Sequence, residues 1–68
     1  MITTFKGTKK TKEGLHEAKY LIEESKGNAL IKSSVSIILE DAEIETTEPL
    51  ESIIEKGANV AKNEYARR

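Results

Sequence analysis

A chain of 68 residues with 37% apolar side chains, 34% charged side chains and a net charge of −1 has material for one small core and little surplus. It contains no cysteine and a single histidine, which excludes disulfides and any zinc site built from thiolates and imidazoles. The balance is not basic overall, and the longest apolar run, Ile37-Ile38-Leu39, is far too short to cross a bilayer.

Several expectations follow from these bounds. Residues 1–68 are expected to form a single domain. The opening stretch MITTFKGTKK lacks the apolar segment of a secretory signal, and with no cysteine in the chain the expected location is cytoplasmic. A core this small, without disulfide or metal, is commonly completed by association. A homo-oligomer is therefore expected, most simply a symmetric dimer.

In chain order, Met1–Lys6 reads as a strand, because Ile2, Thr3, Thr4 and Phe5 are β-branched or aromatic and Gly7 follows. Residues 7–12 form a polar, lysine-rich connection. A helix is expected from near Lys12 to Lys26, capped by Thr11 or Thr8, with Leu15, Ala18, Leu21, Ile22 and Ser25 at steps of three and four. Glu13 and Glu17 suit its positive end and Lys26 its negative end, and Gly27-Asn28 provides a stop.

Residues 29–44 fit both periods. As a strand, Ile31, Ser33, Val35, Ile37 and Leu39 face one way. As a helix, Ile31, Val35, Ile38, Leu39 and Ala42 make a face, which leaves a mostly α protein with 29–44 helical as the alternative. Val35, Ile37 and Ile38 lose rotamers in a helix, and Ser33, Ser34 and Ser36 compete for its backbone bonds, so Ser33–Leu39 is expected as a strand. After a turn or bend at Glu40-Asp41, the alternation from Ala42 to Thr46 predicts another strand. Thr46-Thr47-Glu48-Pro49 marks the start of a last helix, with a threonine as cap and Leu50, Ile53, Ile54, Gly57, Ala61 and Tyr65 on one face. Gly57 either admits a close neighbour or divides that helix.

The expected fold class is α+β: a β-α-β-β-α domain with a short antiparallel sheet covered by two helices. That element order is shared with small antitoxin repressors and double-stranded-RNA-binding modules. The strand-pair and helix-start motifs of those families are absent, so no family is assigned from the sequence.

Charge is sorted along the chain. Residues 1–32 hold seven lysines and four glutamates, 33–55 hold seven acids and no base, and 56–68 hold four bases and one acid. The acidic cluster Glu40, Asp41, Glu43 and Glu45 is a candidate partner-binding patch. Along a strand its carboxylates splay and do not converge as a hard cation requires, so no metal is expected. Lys6, Lys9, Lys10 and Lys12, with Lys62, Arg67 and Arg68, would form a phosphate-contacting patch if the two ends of the chain meet. His16 lacks a nucleophile and an orienting partner in any motif and reads as a surface residue. Ser33, Ser34 and Ser36 lie in no nucleophile motif. No catalytic residue, cofactor or metal is expected.

The far part of the last helix, with Val60, Ala61 and Tyr65, is a candidate dimer contact. The expected function is that of a non-enzymatic interaction module: self-associating, acting on a protein or other macromolecule as regulator, inhibitor or adaptor, without a membrane. The alternative is a small DNA- or RNA-binding regulator, antitoxin- or repressor-like, that uses the basic chain ends.

Overall fold

The computed structural model describes residues 1–67. Three strands, β1 (Ile2–Lys10), β2 (His16–Lys26) and β3 (Ala29–Ile38), precede one helix, α1 (Leu50–Ala66). The strands form an antiparallel meander in the order β1-β2-β3, and α1 lies across one face. The class is α+β, but the element order differs from the expected β-α-β-β-α. The helix expected over 12–26 is strand β2, the strand expected over Ala42–Thr46 is a series of turns, and one helix covers the sheet where two were expected. The alternative with 29–44 helical is excluded by β3.

Residues 16–26 carry two periods at once. Leu15, Ala18, Leu21 and Ile22 match a helix, but Ala18, Tyr20 and Ile22, all buried, alternate with the more exposed Lys19, Leu21 and Glu23. The alternation wins because β2 is the central strand. It pairs with β1 from Ile2↔Glu23 to Lys10↔His16, and with β3 from Lys26↔Ala29 to Glu17↔Ile38. Were this segment a helix, β1 and β3 would lose their common partner, so long-range pairing overrides local propensity.

Two local signals expected at helix ends instead shape hairpins. Gly27-Asn28 is the two-residue connection between β2 and β3, and Gly27 has φ +58°, the left-handed conformation that so tight a hairpin needs. The Thr11 hydroxyl accepts the Leu15 N–H at 3.1 Å, as a helix cap would accept one, but here it closes the β1–β2 turn. β1 does not stop at Gly7. The register shifts between Phe5 and Gly7, so Lys6 is an extra residue in a bulge and the strand continues to Lys10.

The core lies between the sheet and α1. Ala18, Tyr20, Ile22, Val35 and Ile37 from the sheet meet Ile53 and Ala61 from the helix, with Leu39 and Ile44 from the turns that follow β3. Phe5 stands edge-on to Tyr20, its cross-strand partner, with ring centroids 5.5 Å apart. α1 begins after Pro49, whose carbonyl accepts the Ser52 and Ile53 N–H groups, and no side chain caps it. The expected threonine cap is therefore not made. Instead the Glu48 carboxylate accepts bonds from Lys56 Nζ at 2.6 Å and Ser52 Oγ at 2.8 Å, which lowers its pKa, the lysine contributing most.

α1 runs unbroken through Gly57, which sits over Tyr20. A Cβ at position 57 would overlap the Tyr20 hydroxyl and stand 3.0 Å from Cζ and 3.3 Å from Ile37 Cδ1. The bare backbone lets the Tyr20 hydroxyl donate to the Ile54 carbonyl at 3.0 Å. Burial of the phenol raises its pKa.

The helix is shorter than the sheet. Seventeen residues of helix span about 25 Å and eleven of strand about 36 Å, in a molecule 41 Å long. Tyr65 near the helix end donates to Glu24 Oε1 at 3.2 Å, so the β2–β3 hairpin tip projects past the helix. No described helix is long and apolar enough to cross a membrane.

Candidate functional site

The acidic segment is not an extended edge. Past β3 the chain folds back on itself: Ala42 N–H bonds the Ile38 carbonyl, Glu43 N–H bonds Glu40, and Ile44 N–H bonds Leu39. Glu43 takes φ +59°, which a strand does not permit, and Ile44 plugs the end of the core. The reason is the burial of Ile44: a strand over 42–46 would need a pairing partner, whereas the turns reach the core directly.

Glu40, Glu43 and Glu45 consequently border one open depression with Thr46 and Thr47, while Asp41 faces the groove beside β3. Glu40 turns back onto β2. Its carboxylate accepts the His16 backbone N–H at 2.9 Å and His16 Nδ1–H at 2.6 Å. These two bonds, the imidazole one first, hold the Glu40 carboxyl at about 2. An ionised carboxylate only accepts, so Nδ1 carries the proton in this pair. His16, expected as an isolated surface residue, is thus one half of a latch that fixes the turn after β3 to the start of β2. Asp41, Glu43 and Glu45 remain in solvent. Among the described residues, no group of three or more metal-ligating side chains converges.

The two basic groups lie at opposite ends of the sheet. Lys9, Lys10 and Lys12 surround the β1–β2 turn with Thr11, Glu13 and Glu17, and Lys9 reaches Glu17 at 3.7 Å. Lys62 and Arg67 belong to the end of α1 that lies over Glu24, seven residues up β2 from Glu17, or about 23 Å. Lys6 sits at the bulge between them, and Arg67 pairs with Glu64. Arg68 lies outside the described residues.

The three residues singled out for a dimer contact are engaged within their own chain. Ala61 is fully buried against the sheet, and Val60 and Tyr65 pack on the same core. Helical spacing cannot distinguish a face that covers its own sheet from one that covers a partner's.

What stays uncovered was not singled out in the sequence. The second face of the sheet carries Ile2, Thr4, Lys19, Leu21, Glu23, Lys32, Ser34, Ser36 and Ile38, with Thr4, Leu21 and Ser34 in one cross-strand row. Ile2 is 63% exposed and Leu30 58%. On the helix side, Ile31 is 36% exposed because the hairpin tip outreaches α1. A shallow groove of about 320 Å³ runs beside β3, lined by Val35, Ile37, Ile38, Ala42 and Val60, with Asp41 and Glu64 on its rim. Once strand pairing is assigned, the alternation of residues 29–38 gives this surface directly. No family model, curated protein or solved structure matches the chain.

Proposed function

We propose that the chain is a non-enzymatic interaction module that associates with itself and acts on a macromolecular partner as a regulator, inhibitor or adaptor. One observation supports this reading above others. α1 covers a single face of the sheet and leaves Ile2, Leu30 and Ile31 in solvent along its far end. Apolar side chains left on an open sheet lose their water when a second surface docks, at about 25 cal/mol per Å². Asp41, Glu43 and Glu45, displayed on the turns after β3, add a charge pattern that favours a basic partner surface and slows encounter with an acidic one.

Light scattering or sedimentation equilibrium from low micromolar to millimolar concentration tests the self-association. The expected outcome is a mass rising with concentration from 7.6 kDa toward twice that value. A constant monomer mass up to 1 mM overturns it.

A second reading rests on the lysines of the β1–β2 turn. Lys9, Lys10 and Lys12 surround one depression at the end of the sheet together with Glu13 and Glu17, and Lys6 stands at the β1 bulge. Their proximity supports, as an alternative, a small DNA- or RNA-binding regulator that contacts the nucleic-acid backbone.

A further inference from the structure

The two edges of the sheet are built differently. β1 is bulged at Lys6 and carries Lys6, Lys9 and Lys10, the features that blunt an edge against pairing. β3 is ten residues long, has no bulge against β2, no proline and one charge, Lys32, which lies across from Glu23.

The direction of its free backbone groups follows from a single bond. Leu39 N–H donates to the His16 carbonyl at 2.9 Å, so this pair, next after Glu17↔Ile38, is a hydrogen-bonded one. Such pairs alternate along an antiparallel ladder, so the odd-numbered residues of β3 bond inward to β2 and the even-numbered ones point their N–H and C=O outward. The Ile38 carbonyl agrees with that phase. It points away from β2 and takes the Ala42 N–H at 3.1 Å, which closes the free edge at this end. Leu30, Lys32, Ser34 and Ser36 therefore offer their backbone groups to solvent.

We infer that a second copy of this chain pairs antiparallel along the free edge of β3, centred on Ser33, to give a continuous six-stranded sheet. The inference rests on the self-association proposed above and names its surface. Pairing Leu30 with Ser36 and Lys32 with Ser34 uses every open group, for about eight backbone hydrogen bonds. The edge is self-complementary. One end of β3 carries the exposed Ile31 and the other end the groove at Val35, and the two-fold axis sets each Ile31 across from the other copy's Val35. The same operation brings the Lys26 tip of each hairpin toward the Asp41 and Glu64 rim of the other groove.

Ser34→Pro tests the pairing, because it removes an outward N–H and leaves the bonds to β2 in place. The dimer is expected to weaken about tenfold or more, with the far-ultraviolet circular dichroism of the natural chain retained. A variant that is folded and dimerises as tightly as the natural chain overturns β3 pairing while self-association stands. A natural chain that stays monomeric at 1 mM overturns both. Should Ser34→Pro fail to fold, Ser33→Cys decides. The chain has no cysteine, and a non-hydrogen-bonded pair brings Cα atoms to about 4.5 Å, inside disulfide range. Ser33→Cys is expected to form a disulfide dimer at least tenfold faster than Thr8→Cys on β1. Equal rates overturn the inference.

Discussion

Glu40 and His16 show what a single residue contributes here. The carboxylate is held ionised by the imidazole and by a backbone N–H, at about 2 against an ordinary value of 4.5. A carboxyl whose folded pKa is depressed adds stability that is present above its unfolded value and lost as pH falls toward its folded value. The latch is thus fully formed above about 4.5 and released progressively down to about 2. Glu40→Gln is expected to lower the melting temperature at pH 7 and to converge with the natural chain as pH drops through that window. Thermal melts of both proteins from pH 2 to 7 check it, and a gap independent of pH would show that the carboxylate charge does not carry the effect. The pair was illegible in the sequence because 24 residues separate its members and neither has a local signature. The latch exists only because β3 returns beside β2.

At the level of elements, α1 and β3 were readable for reasons local to each. Pro49 fixes where the helix can begin, and Ile53, Gly57 and Ala61 keep one buried face, while Leu50, expected on that face, is exposed at the first turn. Val35, Ile37 and Ile38, with Ser33, Ser34 and Ser36 beside them, favour a strand over a helix. β2 was not readable, because its residues satisfy both periods and its identity depends on neighbours in β1 and β3. The contact that joins the elements is Gly57 on Tyr20. Gly57→Ala would raise intrinsic helix stability by about 1 kcal/mol. It also forces apart a buried ring and breaks the bond from Tyr20 to Ile54. Overpacking at about 1–3 kcal/mol and a lost hydrogen bond at about 1 kcal/mol outweigh the gain, so a net loss near 2 kcal/mol is expected in urea denaturation. Adding Tyr20→Phe removes the hydroxyl that clashes. The double variant should recover part of the loss, and strictly additive effects would show that the two residues do not meet.

Across the whole molecule, the sorted charge of the sequence becomes a spatial separation. The lysines of the β1–β2 turn and the pair Lys62 and Arg67 near the end of α1 sit at opposite ends of a 41 Å body, with the Glu40–Glu45 turns at the same end as the first group. A nucleic acid gripping the lysine turn would therefore be held by few contacts. Its log affinity is expected to fall with log salt at a slope of about −3, and Lys9→Glu with Lys10→Glu should abolish most of it. Fluorescence anisotropy with a labelled duplex and a single strand measures both, and no binding at low salt sinks the nucleic-acid reading. The elongated shape has the same origin as the exposed hairpin tip: three long strands are covered by one helix that is too short for them.

By itself the sequence determined what is local or compositional. It set the small mixed core, the last helix from Pro49 onward, the strand character of residues 33–38 within β3 and the absence of thiol chemistry. Backbone torsions, β-branching and charge decide these, and they act over a few residues. Only the tertiary structure decided that residues 16–26 are a central strand, that Gly27-Asn28 turns a hairpin, that Glu40 latches onto His16 and that Val60, Ala61 and Tyr65 close the chain's own core. Each of these depends on groups that come together only when distant segments pair. A periodicity that fits both helix and strand is resolved by its partners and not by itself.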